Sequence, residues 1–185
     1  MDHLKWAVSW ENDITLERHE ALAAMLARVY PLHAGLFSGG RSWSGARPEA
    51  RIVASVGDRP VAHLGLLRRF LRVSDADASL LVGDVGLVAV DPDFQSQRVG
   101  VRLLDQAARA MTDLALPFGF LTCRPEVVPF YRSGGWQRLD GQVVRMIDNS
   151  QQPEVYDGPA MVLPVHARMT HWPHGSVVDR NGLEV

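Results

Sequence analysis

The run "GLVAVDPDFQSQRVGVRLLDQA", residues 86–107, sets the architecture of this chain. It opens as an apolar strand, breaks at Asp91-Pro92, crosses a polar loop and resumes with helical spacing. Val99, Leu103, Ala107, Met111 and Leu114 fall on one face of the helix that follows. A helix N-terminus offers unpaired N–H groups and the positive end of a dipole. Gly100 lets an anion approach that backbone, and Gln95, Gln97 and Arg98 add side-chain donors. The stretch therefore reads as strand, anion-binding loop, helix, with an ordinary connecting turn as the competing reading. It lacks the Gly-Lys-Ser/Thr of a nucleotide-triphosphate loop and the Gly-x-Gly-x-x-Gly of a dinucleotide site.

Upstream, "ARIVASV" (50–56), the turn "GDRP", "VAHLGLLRRFLRV" (61–73), the turn "SDADAS" and "LLVGDVGLVAV" (80–90) form a meander. Before it, "LKWAVSW" (4–10) alternates as a strand. In "TLERHEALAAMLARVYP", Leu22, Met25, Leu26 and Val29 mark a helix that Pro31 stops. Residues 31–50 read as an irregular connection. Downstream come a strand at 118–123, a short helix from Pro125 ended by Gly134-Gly135, a polar loop "DNSQQPEVYD" and a late strand at 158–165. The order β-α-β-β-β-α-β-α-β is that of an α/β (α+β) chain, one mixed central sheet flanked by helices.

The 185 residues suit a single domain over 1–185. A net charge of −2 gives no footprint for nucleic acid or for an anionic membrane, and no apolar run is long enough to span a bilayer. The N-terminus does not read as a signal peptide. One cysteine, Cys123, excludes an intrachain disulfide and points to a reducing, cytoplasmic setting. His171 and His174 lack further ligands nearby, so no metal is assigned.

"VAVDPDFQSQRVGVRLL" resembles the donor-binding motif of the GNAT acyltransferase superfamily. Gln95 and Gly100 match that motif, while Arg98 replaces its earlier glycine. The resemblance implies a single GNAT-type domain. In it the amides of Gln95, Gln97, Arg98, Val99, Gly100 and Val101 hold the pyrophosphate of coenzyme A. The strand Leu87, Val88, Ala89 and Val90 bonds the pantetheine and the thioester. "PFYRSGGW" is similar to a second superfamily segment, which makes Tyr131 the proton donor to the departing thiolate.

The chain also resembles the nodulation protein A family, through "SWEN" (9–12), "RSWSGARPE" (41–49), "AHLGLLRRF" (62–70), "PFGF" (117–120) and "WPHGSVVDRNGLEV" (172–185). That family moves a fatty acyl chain from acyl carrier protein to the free C2 amine ending a chito-oligosaccharide. A weaker resemblance, in "AHLGLLRR", the loop, "FYRSGGW" and "WPHG", is to aminoglycoside 2′-N-acetyltransferases, which use acetyl-CoA. The segment Tyr131 to Trp136 favours the second donor. The expectation is thus acetyl transfer from acetyl-CoA to the 2-amino group of a small-molecule amino sugar of the aminoglycoside type. Fatty acyl transfer from acyl carrier protein is the alternative, and a non-catalytic coenzyme A-binding module the third. The sequence does not set the oligomeric state; a homodimer is offered by analogy with the superfamily alone.

Attack on a thioester needs a neutral amine, hence a base. Asp84 interrupts an apolar strand, Glu49 lies in the "RPE" loop and His63 sits within a strand; each is a candidate base. Trp43 and Trp172 are candidates to stack on sugar faces. Asp84, Glu49, Asp179 and Glu184 are candidates to meet a cationic acceptor. The bland readings are a solvated strand edge for Asp84, a structural histidine for His63, core packing for the tryptophans and a frayed tail for the terminal acids.

Overall fold

A computed structural model describes residues 4–185. Its strands are β1 (Lys5–Trp10), β2 (Ala50–Val56), β3 (Arg59–Val73), β4 (Ala78–Val90), β5 (Phe118–Thr122), β6 (Gln137–Leu139), β7 (Val143–Ile147), β8 (Pro153–Tyr156), β9 (Ala160–Pro164) and β10 (Val177–Asp179). The helices are α1 (Leu16–Val29), α2 (Val99–Asp113) and α3 (Val128–Ser133). The architecture is a mixed sheet flanked by helices, as the sequence led us to expect.

The residues gather into two compact units. One runs to Leu67, resumes over Gly86–Ala107 and takes in Val185; the other holds Arg68–Val85 and Ala108–Glu184. β3 and β4 each contribute residues to both units.

In the first unit β1, β2 and β3 form an antiparallel meander, with Trp6 opposite Ala54 and Val53 opposite His63. Thr15 caps α1 by accepting from the Arg18 amide. The periodic apolar residues then bury one face: Leu22 and Leu26 are fully covered, and Ala23, Met25 and Leu26 pack with Phe37, Leu87 and Ala89.

In the second unit β5 lies parallel to β4 and antiparallel to β9, and β6 extends β9. β10 is antiparallel to β3 and parallel to β7, which carries β8. β4 and β5 pair only from Val82–Phe118 to Asp84–Phe120, although β4 runs six residues further. The core joins Leu71, Val73, Val82, Phe118, Phe120, Val162 and Val178. Gly119 has no room for a side chain, since a β-carbon would lie 2.9 Å from Met111 Sδ and from the Trp136 ring.

The sequence reading differs from the structure beyond residue 136. β6, β7, β8 and β10 were not expected, and β8 occupies part of the segment read as the loop "DNSQQPEVYD". β8 opens on Pro153, a residue confined to strand starts and edges. β6 and β10, three residues each, exist only through pairing with distant strands.

Candidate functional site

The second half of β4 is not a regular strand. Leu87 has φ +51°, a left-handed value that costs a side-chain-bearing residue about 1–2 kcal/mol. Its side chain is nonetheless buried, packed with Ala23, Met25, Leu26 and Phe37. Two carbonyls of this kink are held by side chains: Leu87 O lies 2.9 Å from His63 Nδ1, and Val88 O accepts from the Tyr30 hydroxyl at 2.7 Å. Just before the kink, a β-carbon on Gly86 would fall 2.1 Å from the carbonyl oxygen of Val185.

The loop after β4 is braced from within. Asp91 is buried, donates its amide to Val61 O and caps the turn Pro92–Phe94 by accepting from the Asp93 amide. Arg28 and Arg59 each bridge Asp91 and Asp93, at 3.0 to 3.3 Å. Gln95 and Gln97 do not aim their amides outward as expected; they donate to Val90 O and Asp93 O. Ser96 and Arg98 have φ of +61° and +60°. Arg98 thus adopts the conformation a glycine takes freely, at the position where the superfamily motif has glycine. Its side chain is exposed, and α2 begins at the next residue. The first amides of α2, which have no partner within the helix, and the exposed Arg98 side chain lie at the mouth of this loop.

Behind the kink lies a buried polar chain that sequence reasoning missed. Arg51, fully buried in β2, donates to both oxygens of Glu11 at 2.8 and 3.0 Å and to Ser42 O. Its third nitrogen lies 3.1 Å from His63 Nε2. A guanidinium only donates, so Nε2 accepts and the His63 proton is on Nδ1, directed at Leu87 O. Burial, helped by the Arg51 charge, pushes the His63 pKa down to about 3. A neutral imidazole with both nitrogens engaged has no lone pair to offer, so His63 is corrected from candidate base to structural group. Burial works against ionisation of Glu11, but the hydrogen bonds from Arg51 and Arg47 outweigh it and hold the carboxyl below its ordinary range. His19 bonds Ser42 through Nδ1 at 2.8 Å. The signal was available: an arginine inside "ARIVASV" requires a partner if that strand is buried.

Glu49 and Trp43 belong to the same unit. Glu49 is half-buried, its backbone tied to Leu66 O and the Glu11 amide. Trp43 carries the Arg47 guanidinium over its ring at 4.4 Å and meets His19 edge-on.

In the second unit Asp84 is fully buried and receives Arg180 at both oxygens, 2.7 and 3.0 Å. Arg69 Nε approaches it at 3.1 Å, too poorly aligned to count as a hydrogen bond. Two guanidiniums clamping one dry carboxylate make Asp84 a counter-ion, correcting its expected roles as base and acceptor contact. Asp179 is likewise taken, by Arg145 and by the Ser74 hydroxyl. Glu184, half exposed, accepts from Thr122 at 2.6 Å and lies 3.4 Å from Arg180, so it is part of this network rather than a frayed tail. Trp172 is 5% exposed, stacked on Phe120 and bonded to Gln142, which removes it as a sugar platform. Tyr131 is buried in α3, edge-on to Trp136. Burial raises the Cys123 thiol to about 11, which leaves it a poor nucleophile. Among the described residues no group of three His, Cys, Asp or Glu is placed to hold a metal, and no helix is long and apolar enough to cross a membrane.

Comparison with solved structures bears on the fold. A GNAT-family N-acetyltransferase from Escherichia coli, solved in complex with CoA, superimposes with a TM-score of 0.64 at 12% identity, covering 96% of this chain and 89% of that one. A putative N-acetyltransferase from Lactobacillus plantarum gives 0.59 at 17% identity, covering 89% and 99%. In sequence, Nodulation protein A of Rhizobium tropici is 36% identical over 199 residues, 98% of each chain. That of Mesorhizobium japonicum is 36% identical over 200 residues, again 98% of each. The family model for Nodulation protein A matches residues 1–185. Carrying the GNAT fold and matching that model along its whole length, the chain belongs to the nodulation protein A family.

Proposed function

We propose that the protein is an N-acyltransferase that moves a fatty acyl chain from the pantetheine thioester of an acyl carrier protein to the free C2 amine at the end of a chito-oligosaccharide. The whole-length family match supports this donor and acceptor. The preference for acetyl-CoA and an aminoglycoside, drawn from Tyr131 to Trp136, gives way to it. We treat residues 1–185 as one functional domain.

The observation that carries the chemistry is the left-handed Leu87, followed by a braced loop and a helix N-terminus. A carrier-bound pantetheine arm ends in a single phosphodiester. The amides of Val99, Gly100 and Val101, with the Arg98 side chain, supply the donors for it. Val88 N–H donates to the thioester carbonyl as negative charge builds on its oxygen. The amine nitrogen attacks the carbonyl carbon, the carbon–sulfur bond breaks and the acyl chain remains as an amide. The nitrogen loses a proton to Glu49, directly or through water, and the departing thiolate takes one up from solvent. No cysteine takes part.

The test is to offer the protein acyl carrier thioesters of several chain lengths with a chito-oligosaccharide bearing one free amine, and acetyl-CoA with aminoglycosides in parallel. Mass spectrometry of the sugar should find the long acyl chain. Acetylated aminoglycoside with no acylated oligosaccharide would overturn the assignment.

A further inference from the structure

The chain Glu11–Arg51–His63 ends on the carbonyl of the one strand residue in β4 with a left-handed backbone. A trans peptide is a rigid plane in which C=O and N–H point in opposite directions. Fixing Leu87 O therefore fixes the other end of the same peptide, the Val88 N–H. His63 does the first, at 2.9 Å, and is itself oriented by Arg51, whose guanidinium Glu11 holds by two bonds. Tyr30 repeats the device one peptide on, gripping Val88 O and so setting the Ala89 N–H. Arg51 and His63 are 0% exposed. Hydrogen bonds in such surroundings are strong, and a partner lost there leaves a buried polar group unpaired. A surface strand would not need this apparatus; a strand that must present one amide at a fixed angle does.

We propose that Glu11, Arg51 and His63 are positioning residues that aim the Val88 N–H at the acyl donor's carbonyl. None touches substrate: Glu11 orients Arg51, Arg51 sets the tautomer of His63, and His63 turns the Leu87–Val88 peptide. The proposal rests on the acyl-transfer reading for its consequence but not for its geometry.

His63→Asn, His63→Leu and Glu11→Gln separate positioning from packing. Asparagine keeps a donor near the Nδ1 position; leucine fills the space without one. In acyl transfer, His63→Leu should lower kcat by about 100-fold, the size of a lost or misaimed oxyanion donor, with the donor KM nearly unchanged. His63→Asn should recover to within about tenfold of the parent, the equivalent of one imperfect hydrogen bond. Equal losses in both, or an unchanged kcat in His63→Leu, overturn the proposal. Nitrogen NMR should show the parent His63 protonated at Nδ1, and the Val88 amide resonance should move in His63→Leu. Protonation at Nε2, or an unmoved Val88 amide, overturns it even if the parent transfers no acyl group, an outcome that would sink the functional reading alone. Should His63→Leu fail to fold, Glu11→Gln carries the same two readouts, with the loss of kcat and the Val88 shift in the same direction.

Discussion

Replacing Asp84 by asparagine removes the charge from a site where two guanidiniums converge. Arg180 reaches it at 2.7 and 3.0 Å and Arg69 at 3.1 Å, with side-chain exposures of 0% for Arg180 and Asp84 and 8% for Arg69. An ion pair about 4 Å apart is worth about 4 kcal/mol at an effective dielectric of 20, against a desolvation penalty of similar size. The pair contributes modest net stability, but removing one partner leaves the other charges buried and uncompensated, which costs about 3–5 kcal/mol. Arg180 keeps its contacts to Thr122 and Glu184, and Arg69 its bonds to Arg180 O and Leu183 O, so the lower half of that range is expected. In a chain of this length Tm should drop by roughly 6–15 °C. Thermal and urea melts give the number; kinetics on the fraction still folded should find acyl transfer within about tenfold of the parent. Adding Arg180→Met should restore part of the stability, since the pair is coupled. An Asp84→Asn protein with parental Tm and a kcat reduced by ~10²–10⁴-fold would refute the reasoning, for that is the signature of a general base.

Further outcomes follow from single features. Arg98→Gly relieves about 1 kcal/mol of left-handed strain and adds unfolded-state freedom worth ~0.5–1 kcal/mol, so the melting curve should barely move. If main-chain amides hold the phosphate, its donor KM rises less than about tenfold; a far larger rise would give the grip to the side chain. Gly86→Ala forces a methyl into Val185 O and should cost at least ~1–3 kcal/mol in a urea titration. His63 stays neutral in the folded chain down to about pH 3 against 6.5 unfolded, so unfolding takes up a proton between those values. Stability should therefore fall as pH drops through that window, by up to ~1.4 kcal/mol per unit. Titrating from 6.5 to 4.5, before Glu11 enters with the same sign, should show a shallower slope in His63→Asn; an equal slope would contradict the buried tautomer.

The strand–loop–helix at residues 86–107 and the meander before it were legible because periodicity and turn residues are local signals. α1 announced itself by its apolar stripe and by Pro31; its cap, Thr15, was not singled out. β7 was visible in principle, since Val144 and Met146 alternate with Arg145, yet the polar residues around it masked the pattern. β6 and β10 carry no local signal. The site was legible in part. Position 98 drew notice as the missing glycine, but its left-handed φ is a property of the folded backbone. Asp84, Asp179 and Trp172 fit their proposed roles by residue type; what removed them were partners far along the chain, Arg180, Arg145 and Phe120. Arg51 and Glu11, 40 residues apart, meet only through the pairing of β1 with β2.

Acyl transfer as proposed requires the donor's arm to lie along the second half of β4 and at the N-terminus of α2. Amide NMR of the protein, titrated with acyl carrier protein bearing a non-hydrolysable acyl-pantetheine, tests this directly. The largest shifts and the strongest slowing of hydrogen exchange should fall on Val88 and on Val99 to Val101. Binding that leaves those amides untouched while perturbing residues elsewhere would contradict it.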